Sequence, residues 1–143
     1  MRLGDIHKVS PAKLQTIAPE ETVREAARQL CRFNIGALPV CDAGGELVGI
    51  ITERDIMRQV ASDDCHEALE LRVAAVMTRN LIISVADDSV EDAMRIMTEK
   101  RIRHLPVLDG KTLVDIISIG DVVKNKLDES SVEIRFLRDY VTG

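Results

Sequence analysis

The chain has 143 residues, 45% of them hydrophobic and 30% charged, with a formal net charge of −5. The length fits one compact module built from two small halves, and the acidic balance argues against DNA or RNA as the main partner. Only Phe33, Phe136 and Tyr140 are aromatic and there is no Trp, which argues against a single-strand binder that stacks bases and against a carbohydrate-stacking site.

Taken in chain order, an apolar segment at 14–17 reads as a strand. Val23, Ala26, Ala27 and Leu30 then recur at the i, i+3, i+4, i+7 spacing of a helix face, opened by the capping box Thr22-x-x-Glu25. Two short apolar runs follow at 37–41 and 47–51, joined across Gly44-Gly45. A second helix opens at Thr52-x-x-Asp55. The segment 63–77 crosses to the second half, with a short helix expected in it. There the order repeats: a strand at 81–85, a helix opened by Ser89-x-x-Asp92 with Val90, Ala93, Met94 and Met97 on one face, and strands at 105–108 and 113–117. Asp109-Gly110 joins these strands as a tight hairpin. A last helix opens at Ser118-x-x-Asp121. The tail 128–143 places Val132, Phe136, Leu137 and Tyr140 at helical spacing, as for an amphipathic helix at a subunit contact.

The two halves align at an offset of 67 residues, with Val23/Val90, Ala26/Ala93, Arg28/Arg95, Ile35/Ile102, Leu38/Leu105, Pro39/Pro106, Val40/Val107 and Asp42/Asp109 identical. After a one-residue deletion the offset becomes 66, with Leu47/Leu113, Val48/Val114, Ile50/Ile116, Ile51/Ile117 and Asp55/Asp121. The fold class is therefore α/β (α+β), two βαββα repeats packed as a pseudo-two-fold pair. Boundaries are expected at 9–66 and 67–127, with a helical tail at 128–143. A single repeat buries too little surface to be comfortable alone, so the two should share a core.

The run Gly49-Ile50-Ile51-Thr52-Glu53-Arg54-Asp55 follows a strand and opens a helix, and Ile-x-x-Leu-Pro-Val occurs at 35–40 and again at 102–107. This duplicated combination, with Val73-Ala74-Ala75-Val76-Met77-Thr78 leading into the second copy, resembles a tandem pair of CBS (cystathionine-β-synthase) domains of the stand-alone bacterial type, over 9–127. The resemblance implies a non-catalytic regulatory module that binds adenosine derivatives. AMP, ADP or ATP come first, NAD(H) next, and S-adenosylmethionine is the weaker candidate. It also implies a homodimer of such pairs, and it assigns the ribose to Thr52, Asp55, Ser118 and Asp121.

The chemistry of such a site can be argued separately. A helix N-terminus offers backbone N–H groups and partial positive charge to phosphate. A carboxylate there can accept from both ribose hydroxyls, and a Thr or Ser hydroxyl adds a contact. Adenine would lie between aliphatic side chains of the strands, read at its edge by backbone around Ala37, Leu38 and Pro39, or Leu105 and Pro106. The plainer reading of S/T-x-x-D/E is a capping box. It is preferred at Thr22/Glu25 and Ser89/Asp92, and ligand binding is preferred at Thr52/Asp55 and Ser118/Asp121. Arg103 and His104 lead into the strand before Pro106 and are candidate phosphate ligands, as is Arg54. Lys100 and Arg101 are read as cations at a helix C-terminus. Asp115 stands where the first half has Gly49, a place where the family's glycine allows backbone and ligand to approach, so the two clefts are expected to differ.

Other chemistry is thin. The cysteines Cys31, Cys41 and Cys65 form no CxxC pair and read as reduced thiols of a cytoplasmic protein, with Cys41 as a core residue. Cys65-His66 is a weak zinc signal, His7 stands alone, and no metal site is expected. No secretory signal opens the chain, and no apolar run approaches the roughly 20 residues that span a bilayer. No P-loop, nucleophile elbow or HExxH motif is present. The leading reading is a ligand sensor acting through an unknown protein effector or a change in assembly. The alternatives are a structural dimerisation module with no physiological ligand and, with least support, an enzyme acting on nucleotides.

Overall fold

The computed structural model describes residues 2–6, 14–62 and 64–129. The expected tail helix from 130 onward and His7 lie outside these residues. In chain order the elements are α1 (Leu3–Ile6), α2 (Val23–Phe33), β1 (Ala37–Cys41), β2 (Leu47–Thr52), α3 (Glu53–Ser62), α4 (Cys65–Glu70), α5 (Val73–Val76), β3 (Ser84–Val85), α6 (Val90–Lys100), β4 (His104–Asp109), β5 (Thr112–Ser118) and α7 (Ile119–Glu129).

The long helices begin where the capping boxes place them. Thr22 Oγ1 accepts from the Glu25 N–H at 3.2 Å and Ser89 Oγ accepts from the Asp92 N–H at 3.1 Å, satisfying donors a helix start leaves open. Both helices stop on a residue in the left-handed region, Asn34 at φ 53° and Arg101 at φ 55°, which turns the chain into the following strand. Val23, Ala26 and Leu30 of α2 and Val90, Ala93 and Met97 of α6 are buried, the faces expected from the spacing.

Each helix covers an antiparallel hairpin. Leu38 pairs with Ile51 and Val40 with Gly49 in the first; Leu105 pairs with Ile117 and Val107 with Asp115 in the second. The register slips at equivalent places, between Val40 and Cys41 and between Val107 and Leu108. The expected outer strands are much reduced. Ser84–Val85 adds a two-residue parallel strand to β4, whereas 14–17 contributes only the single bridge of Ile17 to Val40. The crossing segment holds two short helices, α4 and α5, where one was expected.

There are two cores, one per repeat, and each is completed by the lead-in of the other. Val73 and Met77, which precede the second repeat, pack with Val23, Leu30, Leu38 and Ile51 of the first. Leu3, at the start of the chain, packs with Val90, Met97, Leu105 and Ile117 of the second. The backbone contacts match. The Val73 N–H donates to Glu21 O at 2.7 Å and the Ala74 N–H to Pro19 O at 3.0 Å, while Leu3 N–H donates to Asp88 O at 2.9 Å and Gly4 N–H to Ala86 O at 3.0 Å. This reciprocal exchange is the physical content of the pseudo-two-fold pair: neither repeat closes its core without the other's lead-in.

Candidate functional site

The strand-to-helix junctions of the two repeats have the same internal bonding. Thr52 Oγ1 accepts from the Asp55 N–H at 3.1 Å while Asp55 Oδ2 accepts from the Thr52 N–H at 3.0 Å. Ser118 Oγ and Asp121 Oδ2 repeat this at 3.1 and 2.9 Å. Both motifs are thus full reciprocal capping boxes. The first helical residue also donates back across the hairpin mouth, Glu53 N–H to Gly36 O at 3.1 Å and Ile119 N–H to Arg103 O at 2.8 Å.

Among the described residues, different elements lie against the two junctions. Against the first lies the chain's own crossing segment. Ile50 and Thr78 exchange backbone hydrogen bonds at 3.0 and 2.8 Å, and the Thr78 hydroxyl donates to Asp55 Oδ1 at 3.3 Å. A side chain at Gly49 would place its Cβ 2.6 Å from Met77 Sδ and 3.0 Å from Thr78 O. This corrects the expectation for that glycine: the space it leaves is filled by Met77 and Thr78, not by an approaching ligand.

Against the second junction lies a cleft of about 480 Å³ bounded by both repeats, within the range of small-molecule sites. The second repeat supplies Arg103, His104, Asp115, Ile116, Ser118, Ile119 and Asp121. The first supplies Leu14, Gln15, Asn34, Ile35, Gly36, Ala37 and Glu53. Leu14, Ile35, Ala37, Ile116 and Ile119 give it aliphatic walls, and the Ser118–Asp121 box forms its polar end. Gly36 lets the halves close on each other, since a Cβ there would sit 2.7 Å from Glu53 Oε1 and 3.1 Å from His104 Nε2.

The electrostatics are mixed. Burial lowers the pKa of His104 from the ordinary 6.5; the Glu53 and Asp121 carboxylates oppose that shift and Arg103 adds to it. His104 is therefore neutral at pH 7 and available as donor or acceptor. Asp115 is buried at 8% exposure, and its Oδ1 accepts from the Ile116 N–H at 2.7 Å. It lines the cleft and does not face solvent. Arg103 is exposed at the rim.

Of the residues singled out from the sequence, Ser118, Asp121, Arg103, His104 and Ala37 come together in this cleft. Thr52 and Asp55 lie at the other junction, and Arg54 is exposed on the first turn of α3. Leu38, Pro39, Leu105 and Pro106 are buried in the hairpins, outside the cleft lining. Sequence reasoning missed Gly36, Glu53, Gln15 and Asn34. The signal was present: Gly36 aligns with Arg103 and Glu53 with Ile119, so a cleft on the pseudo-axis draws on both members of each pair. Cys41 is half-buried, and burial, then the neighbouring Asp42, pushes its thiol pKa up from 9.0. Among the described residues no group of His, Cys, Asp and Glu could hold a metal ion, and no helix is long and apolar enough to cross a membrane.

Comparison with known proteins agrees with this architecture. The CBS domain family matches residues 3–62 and 73–128. The chain is 30% identical over 129 residues to the CBS domain-containing protein YhcV of Bacillus subtilis, covering 90% of each. It is 37% identical to the mitochondrial CBS domain-containing protein CBSX3 of Arabidopsis thaliana, where it covers 87% of its own length but 62% of that protein's. The crystal structure of the CBS-domain containing protein ATU1752 from Agrobacterium tumefaciens superposes with a TM-score of 0.81 at 37% identity, over 87% of this chain and 92% of that one. Two further solved structures hold adenosine compounds. CBSX2 in complex with AMP has a TM-score of 0.77 at 26% identity, over 90% of this chain and 98% of that one. The CBS domain pair of MJ0100 in complex with 5′-methylthioadenosine and S-adenosyl-L-methionine has a TM-score of 0.78 at 28% identity, with the same coverage. With both halves matched and the reciprocal packing in place, this chain belongs to the CBS domain family and is a tandem pair of CBS domains.

Proposed function

We propose that the pair is a non-catalytic regulatory module that binds an adenosine-containing ligand in the cleft between its repeats. The observation that carries this reading is the cleft itself. About 480 Å³ is lined by aliphatic side chains from both repeats, with a carboxylate–hydroxyl box at one end and Arg103 and His104 beside it. Asp121, whose oxygens each have two lone pairs, accepts from the ribose hydroxyls. Adenine lies between Ile35, Ala37, Ile116 and Ile119, as befits a chain with no Trp. Arg103 and His104 meet the phosphate end. The adenosine compounds held by CBSX2 and MJ0100 support the ligand class.

Because both repeats line the cleft, a ligand that prefers one arrangement of the pair shifts its population by the difference in affinity between arrangements. That shift is the signal, read by a protein partner or by a change in assembly of CBS pairs. Isothermal titration with AMP, ATP, NADH, S-adenosylmethionine and adenosine tests the reading. Binding by at least one at submillimolar concentration, with a matching rise in melting temperature, is the expected result. No binding by any of them leaves the structural dimerisation reading. Conversion of a bound nucleotide during long incubation would overturn the non-catalytic assignment.

A further inference from the structure

The outer face of α2 carries a basic stripe that the ligand cleft does not use. Arg24, Arg28 and Arg32 follow one another at i, i+4 and i+8, so they share one side of the helix over about 12 Å. With Ala27 and Cys31 of α2 and Leu69 of α4 they line a shallow groove of about 580 Å³, with no acidic residue in its lining. In a chain with a net charge of −5 this concentration of cations is an exception.

The second repeat serves as an internal control. At the equivalent positions α6 carries Glu91, Arg95 and Glu99. There Arg95 lies 3.3 Å from Asp92 and 3.9 Å from Glu99, so the face neutralises itself. Both helices cap, turn and bury the same faces, although only α2 carries three arginines on its outer side. Their ion pairs within the chain are half-exposed, and Arg24 donates to Glu70 Oε1 through both Nε and Nη2. Arg24 lies 3.0 Å from Glu70, Arg28 lies 3.8 Å from Glu25, and Arg32 has no ion-pair partner among the described residues. Pairs that reach solvent on one side contribute modestly. Glu70 on Arg24 also shows that a carboxylate can sit on the stripe from the α4 side.

We infer that the α2–α4 groove is a docking surface for an acidic amphipathic helix of a partner protein. Its carboxylates, spaced four residues apart, would meet Arg24, Arg28 and Arg32, with an apolar residue on Ala27 and Leu69. Charge complementarity selects the acid, and the helical spacing of the arginines along a two-helix groove selects a helix as the occupant. The inference does not depend on what the cleft binds.

The test uses a synthetic helical peptide with Glu at i, i+4 and i+8 and Leu between them, its Gln counterpart, and the full chain. The double variant Arg24→Glu with Arg32→Glu recreates the second-repeat pattern, which folds in α6. At low salt the acidic peptide is expected to bind the native chain about tenfold more tightly than the Gln peptide or than the double variant binds it, with the preference lost at high salt. Alkylation of Cys31, which lines the groove, should slow on binding. Nucleotide binding should be unchanged in the variant, and the melting temperature should fall only by the few degrees that loss of the Arg24–Glu70 pair costs. Equal binding of both peptides, or of both proteins, would overturn the inference. So would arginine-dependent binding to phosphatidylserine vesicles without peptide selectivity, or a salt-sensitive dimer in sedimentation that the double variant abolishes.

Discussion

Asp55→Ala and Asp121→Ala form a matched pair of perturbations that separates folding from binding. Both carboxylates accept a backbone N–H three residues earlier, at 3.0 Å from Thr52 and 2.9 Å from Ser118, and both close a reciprocal capping box. Loss of such a cap costs about 1 kcal/mol, which for a chain of this size lowers the melting temperature by about 3–5 °C. That loss should be similar in the two variants. Asp55 Oδ1 receives the Thr78 hydroxyl at 3.3 Å, and Asp121 lines the cleft between the repeats. If Asp121 accepts from ribose hydroxyls, its removal forfeits charge-assisted hydrogen bonds of about 1.5–3 kcal/mol, or about 10–150-fold in affinity. Asp55→Ala should change affinity less than about twofold, since Asp55 is not part of the cleft lining. The assay is isothermal titration with AMP beside thermal melts of each variant. Equal loss of AMP binding in the two variants, or full binding by Asp121→Ala, would refute the assignment.

Gly49→Ala should destabilise the fold by about 1–3 kcal/mol in urea unfolding, because its Cβ meets buried Met77 and the Thr78 carbonyl; a neutral result would mean the crossing segment packs elsewhere. Gly36→Ala meets only the ends of the Glu53 and His104 side chains, so it should spare stability and weaken AMP binding; a stability loss equal to that of Gly49→Ala would contradict this. Arg103→Gln should weaken AMP but not adenosine, and equal loss of both would remove Arg103 from the phosphate. His104 is held below the ordinary 6.5 by burial, so the unfolded chain takes up that proton first. Stability from this group is complete above about pH 6.5 and declines as pH falls toward the folded value, by at most about 1.4 kcal/mol per pH unit. His104→Gln should abolish that slope, and an unchanged slope would show that another group carries it. A phosphate beside His104 raises its pKa, so AMP affinity should increase from pH 8 to pH 6 while adenosine affinity stays flat.

Much of the fold was legible because it is local and written twice. The faces of α2 and α6, their capping boxes and the Asp109-Gly110 turn depend on neighbours within a few residues, and the aligned halves checked one another. The strand expected at 14–17 shrank to the bridge of Ile17 to Val40, because strand pairing is decided by a partner distant in sequence, here β1. The expectation that the two clefts differ rested on Asp115 and Gly49, and what Gly49 makes room for was not legible in it. Gly49 makes room for Met77, and Thr78 pairs with Ile50. These are contacts across the exchanged lead-ins that no single-repeat pattern encodes. Glu53 and Gly36 escaped notice for the same reason: each lies in one repeat and lines a cleft whose polar box belongs to the other.

The central claim is that an adenosine ligand sits between the repeats at the Ser118–Asp121 box. Titration of the ¹⁵N-labelled chain with AMP, followed through backbone amide shifts, tests it most directly. The expected result is saturable movement of the Gly36, Ala37, His104, Ile119 and Asp121 amides, with Thr52, Asp55 and Thr78 nearly still. Movement centred on Thr52, Asp55 and Thr78, or no saturable movement at millimolar AMP, would contradict the account.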